Sequence, residues 1–223
     1  VMGEEADADA PMAAPVVFED IIKASKRVVS ILKEQENVDL IVCLSHSGTH
    51  DDKSNSEDEL LAKAVPDIDV IISGHTHTVL EQPIIAGDTV IVSCGESSGY
   101  LGVLEISGGG GWSVKDYELK PIDSSIKADS SIDGQIGAYK ALVNEYLEPY
   151  SMQYDQVIAN TPYQFENDIY MFDNPGNYAL GDLTSDAFIH AVKQAEGEGY
   201  KTVDVAVVPM GTVRATINKG DIT

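Results

Sequence analysis

Two short apolar runs, "VDLIVCLSHSG" ending at Gly48 and "IDVIISGHTH" ending at His77, each follow a stretch with helical spacing. That order constrains the fold more than any other feature. In "FEDIIKASKRVVSILKEQ", Ile21, Ser25, Val28 and Leu32 recur on one face with Ile22 and Val29 beside them, the spacing of an amphipathic helix. "SEDELLAKAV" opens with Ser56 and Glu59 in the S-x-x-E arrangement, which predicts a capping box at a helix start. Helix, buried strand, helix, buried strand is the pattern of parallel βαβ layering, so the expected fold class is α/β. In such layers functional groups collect at the carboxyl ends of the strands. Here those ends read "SHSG" and "SGHTH".

From residue 89 the pattern changes. "DTVIVSCGE", "YLGVLEIS" and "GWSVKDYELKPI" read as short strands of an antiparallel meander, and the "GGGG" of residues 108–111 as a hairpin turn. No helix or lysine follows those glycines, as a phosphate loop would require. "SIDGQIGAYKALVNEYLEP" carries helical spacing up to Pro149 and predicts a connecting helix. Beyond it, "YDQVIANTP" and "VDVAVVPMG" read as strands and "NYALGDLTSDAFIHAVKQA" as a helix. The expected organisation is a first domain over 1–125, the connecting helix over 126–150 and a second domain over 151–223. A second unit of about 70 residues lies near the lower limit for a self-sufficient core. The acidic, Ala/Pro-rich start, "VMGEEADADAPMAAPV", reads as an exposed loop.

Composition narrows the partners. Fourteen basic against 37 acidic residues give a net charge of −23, which disfavours nucleic-acid polymers and anionic membranes and favours cations. The apolar runs are too short to span a bilayer. Cys43 and Cys94 sit in apolar strand-like runs and read as free thiols, with no Cys-x-x-Cys pairing nearby.

His46, His75 and His77 account for three of the five histidines and fall at two neighbouring strand ends. Adjacent parallel strands lie about 5 Å apart, so loops leaving one edge can bring imidazoles together. Neutral imidazole is a ligand common to Zn²⁺, Mn²⁺, iron and cobalt, and a divalent-cation site is the expectation that competes with packed or exposed histidines. The many carboxylates could complete such a site, but the sequence does not single one out. His50 and His190 sit in no motif and read as structural.

At "LSHSG" and "SGHTH" the chain resembles the last two motifs of calcineurin-like metallophosphoesterases. The closer likeness is to the bacterial 5'-nucleotidase, UDP-sugar hydrolase and 2',3'-cyclic phosphodiesterase group. "NYALGDLTSDAFIHA" is similar to that group's N-x-x-x-G-[ND]-L-x-x-D-A helix, and "DVAVVPMGTVRATINKGDIT" to its D-[IV]-A-x-x-N-G-G-G-[IV]-R segment. The resemblance implies part of a metallophosphatase β-sandwich with flanking helices, a connecting helix, then part of a substrate-binding α/β domain. It further implies a metal-dependent phosphoric ester hydrolase acting on nucleoside 5'-phosphates or related nucleotides, in nucleotide catabolism, with two divalent ions such as Zn or Mn. His46 and His75 would ligate one metal and His77 the other, while Arg214 would contact the substrate phosphate. An extracytoplasmic location, at the periplasm, cell surface or outside the cell, is implied by the family alone.

The resemblance also implies motifs this chain does not contain: an upstream Asp-x-His, a Gly-Asp and a Gly-Asn-His-Glu, together with downstream aromatic residues that stack on the base. The chain is accordingly expected to be an internal fragment, a trimmed chain or one chain of a split protein, inactive alone, holding one cation or none, and needing a complementing chain if split. Pro209 stands where relatives carry Asn, which opens the substrate to other phosphate or sulfur esters. The competing class is a binding module that keeps the shape without the chemistry.

Overall fold

The computed structural model describes residues 1–3, 12, 15–108, 111–165, 174, 176–209, 213 and 216–223. The chain divides into two compact units, Val1–Lys127 and Ala128–Thr223.

In the first unit, α1 (Ile21–Glu34) starts at Asp20, whose carboxylate accepts from the Lys23 amide at 2.7 Å. Its core-facing line is Ile21, Ile22, Ser25, Val29 and Leu32. Val28, expected on that face, is instead 44% exposed. At 100° per residue Val29, not Val28, continues the line from Ser25. β1 (Val42–Ser45) follows, then α2 (Glu57–Ala64) and β2 (Val70–Ser73). β1 and β2 pair in parallel with Ser45 opposite Ser73, so both strands end level with each other.

The expected meander is split. A strand not foreseen from the sequence, β3 (Ile84–Ala86), pairs antiparallel with β4 (Thr89–Val92), and β4 pairs in parallel with β2. The sheet order is β1-β2-β4-β3. Gly87 and Asp88 form the two-residue link between Ala86 and Thr89, and Gly87 has φ +66°, the left-handed conformation such a tight hairpin demands. All four residues of β4 are buried, which suits the interior of a sheet rather than one side of a meander. The remaining strands, β5 (Tyr100–Gly108) and β6 (Trp112–Pro121), form a separate hairpin with Gly108 opposite Trp112.

The sheet is covered differently on its two faces. Ile71 and Ile91, neighbours in register and fully buried, pack with Val29, Leu61, Ala62, Val65 and Ile68. Each such aliphatic side chain contributes about 1.5–3 kcal/mol by leaving water. On the opposite face Val70, Val90 and Val92 meet Leu104, Ile106, Val114 and Tyr117 of the hairpin. The Tyr117 hydroxyl donates to Leu80 O at 3.0 Å, tying that hairpin to the segment after β2.

Ser56 caps α2 without forming the expected box. Its hydroxyl makes no capping bond to the helix backbone; it accepts from the His50 amide at 3.2 Å and donates to Glu59 Oε1 at 2.9 Å. Lys53 Nζ reaches the same Glu59 oxygen at 2.6 Å. Burial pushes the Glu59 carboxyl upward, but the bonds from Lys53 and Ser56 outweigh it and hold the group below the usual range. That carboxylate has better partners than a helix amide.

At the chain start, Val1 O accepts from the His46 amide at 2.9 Å and Met2 bridges His46 in parallel, a pairing where an exposed loop was expected. Residues 4–11 and 13–14 of that stretch lie outside the described residues. Cys43 and Cys94 are free, and burial raises the Cys43 thiol.

The second unit contains α3 (Ser130–Leu147), capped by Asp129 and followed by a 3-10 turn at Glu148–Tyr150. Further on, β7 (Ala159–Thr161) pairs antiparallel with β8 (Gly220–Ile222), and α4 (Ala179–Glu196) lies between them in the chain. The strand expected over 203–211 is not formed among its described residues, 203–209; the β7 partner is instead the short β8, which has no apolar run to announce it. Among the described residues no helix is long and apolar enough to cross a membrane.

Candidate functional site at the carboxyl ends of the parallel strands

Because β1 and β2 end in register, the residues that follow them emerge side by side. His46 directly follows β1, and Gly74 separates β2 from His75. The two rings meet with centroids 5.0 Å apart and planes inclined at 56°. Gly74 leaves the room: a Cβ there would lie 3.3 Å from both His46 Nδ1 and Ser45 O.

His75 and His77 both occupy the left-handed region, at φ +67° and +54°. Local hydrogen bonds hold this turn. The Thr76 amide donates to Gly74 O at 2.8 Å, Thr76 Oγ1 accepts from the Thr49 amide at 3.2 Å, and it lies 2.9 Å from Thr78 Oγ1. Gly48, at φ +99°, allows the Thr76 contact, since a Cβ there would sit 2.4 Å from Thr76 Cγ2. The loop after β1 and the loop after β2 are thus interlocked.

Two carboxylates that the sequence could not single out emerge around these histidines. Asp58, fully buried in the first turn of α2, accepts from Ser45 Oγ at 2.5 Å and from the Gly48 amide at 3.2 Å, residues on either side of His46 in the chain. Glu96 lies beyond β4 with Oε2 3.0 Å from His77 Nδ1. Only the chain path reveals either one: Asp58 looks like an ordinary helix-start acid, and Glu96 sits 19 residues beyond His77 in the numbering.

The structure brings His46 and His75 together, and His77 turns toward Glu96. Among the described residues no group of three or more His, Cys, Asp or Glu side chains is gathered tightly enough to hold a metal ion. With metal–nitrogen bonds of about 2.0–2.1 Å, two imidazoles on one ion have centroids roughly 5 Å apart, the spacing of the His46 and His75 rings. His50 Nδ1 accepts from the Asp52 amide at 3.0 Å, a local turn bond, and His190 is exposed on α4. Arg214 lies outside the described residues; Pro209 is described and exposed.

The first unit thus carries a mixed sheet with two histidines side by side at the carboxyl ends of its parallel strands. No family model matches the chain. The trifunctional nucleotide phosphoesterase YfkN of Bacillus subtilis is 25% identical over 215 residues, covering 93% of this chain and 13% of that protein. A 5'-nucleotidase of Vibrio parahaemolyticus is 27% identical over 247 residues, covering 93% of this chain and 41% of its own length. Among solved structures, the 5'-nucleotidase precursor of Thermus thermophilus superposes with a TM-score of 0.67 at 23% identity, over 95% of this chain and 41% of that one. The fold is that of the metallophosphoesterases and 5'-nucleotidases. Homologues and structural neighbours of the chain are 5'-nucleotidases and calcineurin-like phosphoesterases, and they cover most of it. The chain spans well under half the length of these curated relatives.

Proposed function

We propose that the chain is part of a metal-dependent phosphoric ester hydrolase acting on nucleotides, with His46 and His75 holding one divalent cation and His77 a second. The observation that carries this is the 5.0 Å approach of the His46 and His75 rings at the level ends of two parallel strands. Relatives named as nucleotide phosphoesterase and 5'-nucleotidase support the reaction class. Divalent cations bound here would supply Lewis acidity toward a phosphoryl oxygen and would acidify water.

The chain's own residues supply the placement. Asp58 fixes Ser45 and Gly48 on either side of His46, so the His46 ring is presented from a loop pinned at both ends. Thr49 and Thr76 hold the His75 turn against that loop. Arg214, by its place in the resembling segment, would pair with the substrate phosphate through its planar fork. Pro209 offers no side-chain amide where the resembled group carries Asn, so the proposal leaves the substrate open to other phosphate or sulfur esters. An extracytoplasmic location is part of the proposal and is supported by a relative named as a precursor.

The test is titration of Mn²⁺ and Zn²⁺ into the full-length protein, followed by turnover on a panel of nucleoside monophosphates, cyclic nucleotides, nucleotide sugars and sulfur esters. Loss of metal affinity and turnover together in His46→Ala and His75→Ala is the expected result. Unchanged metal affinity in both variants would leave the binding-module reading in its place.

A further inference from the structure

We propose that Glu96 is a positioning residue that orients the His77 imidazole, engaging Nδ1 so that Nε2 is the nitrogen presented to a cation. The inference rests on the reading of His77 as a ligand. Three observations carry it.

The contact itself is close, with His77 Nδ1 3.0 Å from Glu96 Oε2, within ion-pairing reach. The nitrogen that is so engaged fixes which one remains free.

Secondly, the backbone is built to bring the two residues together. Beyond β4 the chain folds back along the segment after β2: the Leu80 amide donates to Ser93 O at 3.1 Å, the Gly95 amide to Thr78 O at 3.1 Å and Ser93 Oγ to Thr78 O at 2.6 Å. Val79 and Cys94 form an antiparallel bridge in the middle of this clamp. Gly95, at φ +80°, makes it possible, because a Cβ would come within 2.7 Å of Val79 Cγ2. The Gly99 amide then closes a turn onto Glu96 O at 3.0 Å. Glu96 is therefore delivered to His77 by bonds that do not involve either side chain.

Thirdly, the pair has little to offer stability. Both side chains are more than 40% exposed, and ion pairs in that setting contribute nearly nothing to folding. A carboxylate held against an imidazole at the rim of a sheet, at a left-handed backbone position, directs the ring instead.

The experiment is calorimetric titration of Mn²⁺ into the full-length protein, comparing wild type with Glu96→Gln, Glu96→Ala, His77→Asn and, as a distant surface control, Glu118→Gln. ¹⁵N-resolved NMR of the metal-free protein reads the His77 tautomer in parallel. Expected are an affinity loss of about 10–100-fold at one of two sites in Glu96→Ala, a smaller loss in Glu96→Gln, whose amide oxygen can accept the same bond, and none in Glu118→Gln. The wild-type proton is expected on Nδ1 and is redistributed in Glu96→Ala, with unfolding midpoints unchanged. If His77→Asn loses affinity while both Glu96 variants match wild type, the positioning role is overturned and the ligand reading survives. If His77→Asn also binds as wild type does, both are overturned.

Discussion

At the scale of single residues, the candidate site depends on side chains that are buried or strained for reasons the surrounding bonds make plain. Asp58 is the clearest case, since both carboxylate oxygens are used and no water reaches it. Asp58→Ala would leave the Ser45 hydroxyl and Gly48 amide unpaired inside the protein, at a cost of about 3 kcal/mol for two bonds to a charged group. Urea unfolding should show that loss, and the titration above should show weaker metal binding through a displaced His46. Glu59 yields a pH prediction. Its folded pKa is depressed, so it contributes stability that is complete above the ordinary glutamate value, about 4.3, and is lost as pH falls through the lower folded value. Thermal midpoints measured from neutral to acid pH should fall less steeply in Glu59→Gln than in the parent below that ordinary value.

At the scale of elements, the parallel core was legible because its signals are redundant. β1 and β2 are apolar runs, each preceded by a helix, and the histidines sit where such strands end. The hairpin of β3 and β4 was missed because Ile84–Ala86 is too short to show a period, leaving Gly87-Asp88 as its sole signal. A capping box was expected at Ser56 because the motif is local, whereas its replacement depends on Lys53 and His50 arriving from the preceding loop. Glu96 was illegible for a related reason: its neighbour is set by the clamp between Thr78 and Gly95. Gly48→Ala tests how tightly the two histidine loops are joined. The added methyl meets Thr76 and the backbone is left-handed, so a loss of about 1–3 kcal/mol in denaturant unfolding is expected, with weaker metal binding.

At the scale of the whole molecule, the two hydrophobic clusters of buried residues found among the described residues both lie in the first unit. In the second unit α3 has no buried residue and α4 buries Leu180 alone. Ile91→Ala, in the centre of the sheet, should cost about 2–5 kcal/mol in the unfolding of the first unit. Limited proteolysis should cut first in the exposed stretch from Asp123 to Asp129, close to the junction of the units, and release a resistant piece that ends near Lys127.

His75 and His77 adopt backbone angles that an imidazole-bearing residue visits reluctantly and glycine visits freely. A chain tuned for durability alone would have glycine at both places. His75→Gly should therefore melt at a higher temperature than the parent, by an amount equivalent to about 1 kcal/mol, while losing its hold on the cation. Robustness and capability would then be seen to pull in opposite directions at a single backbone position.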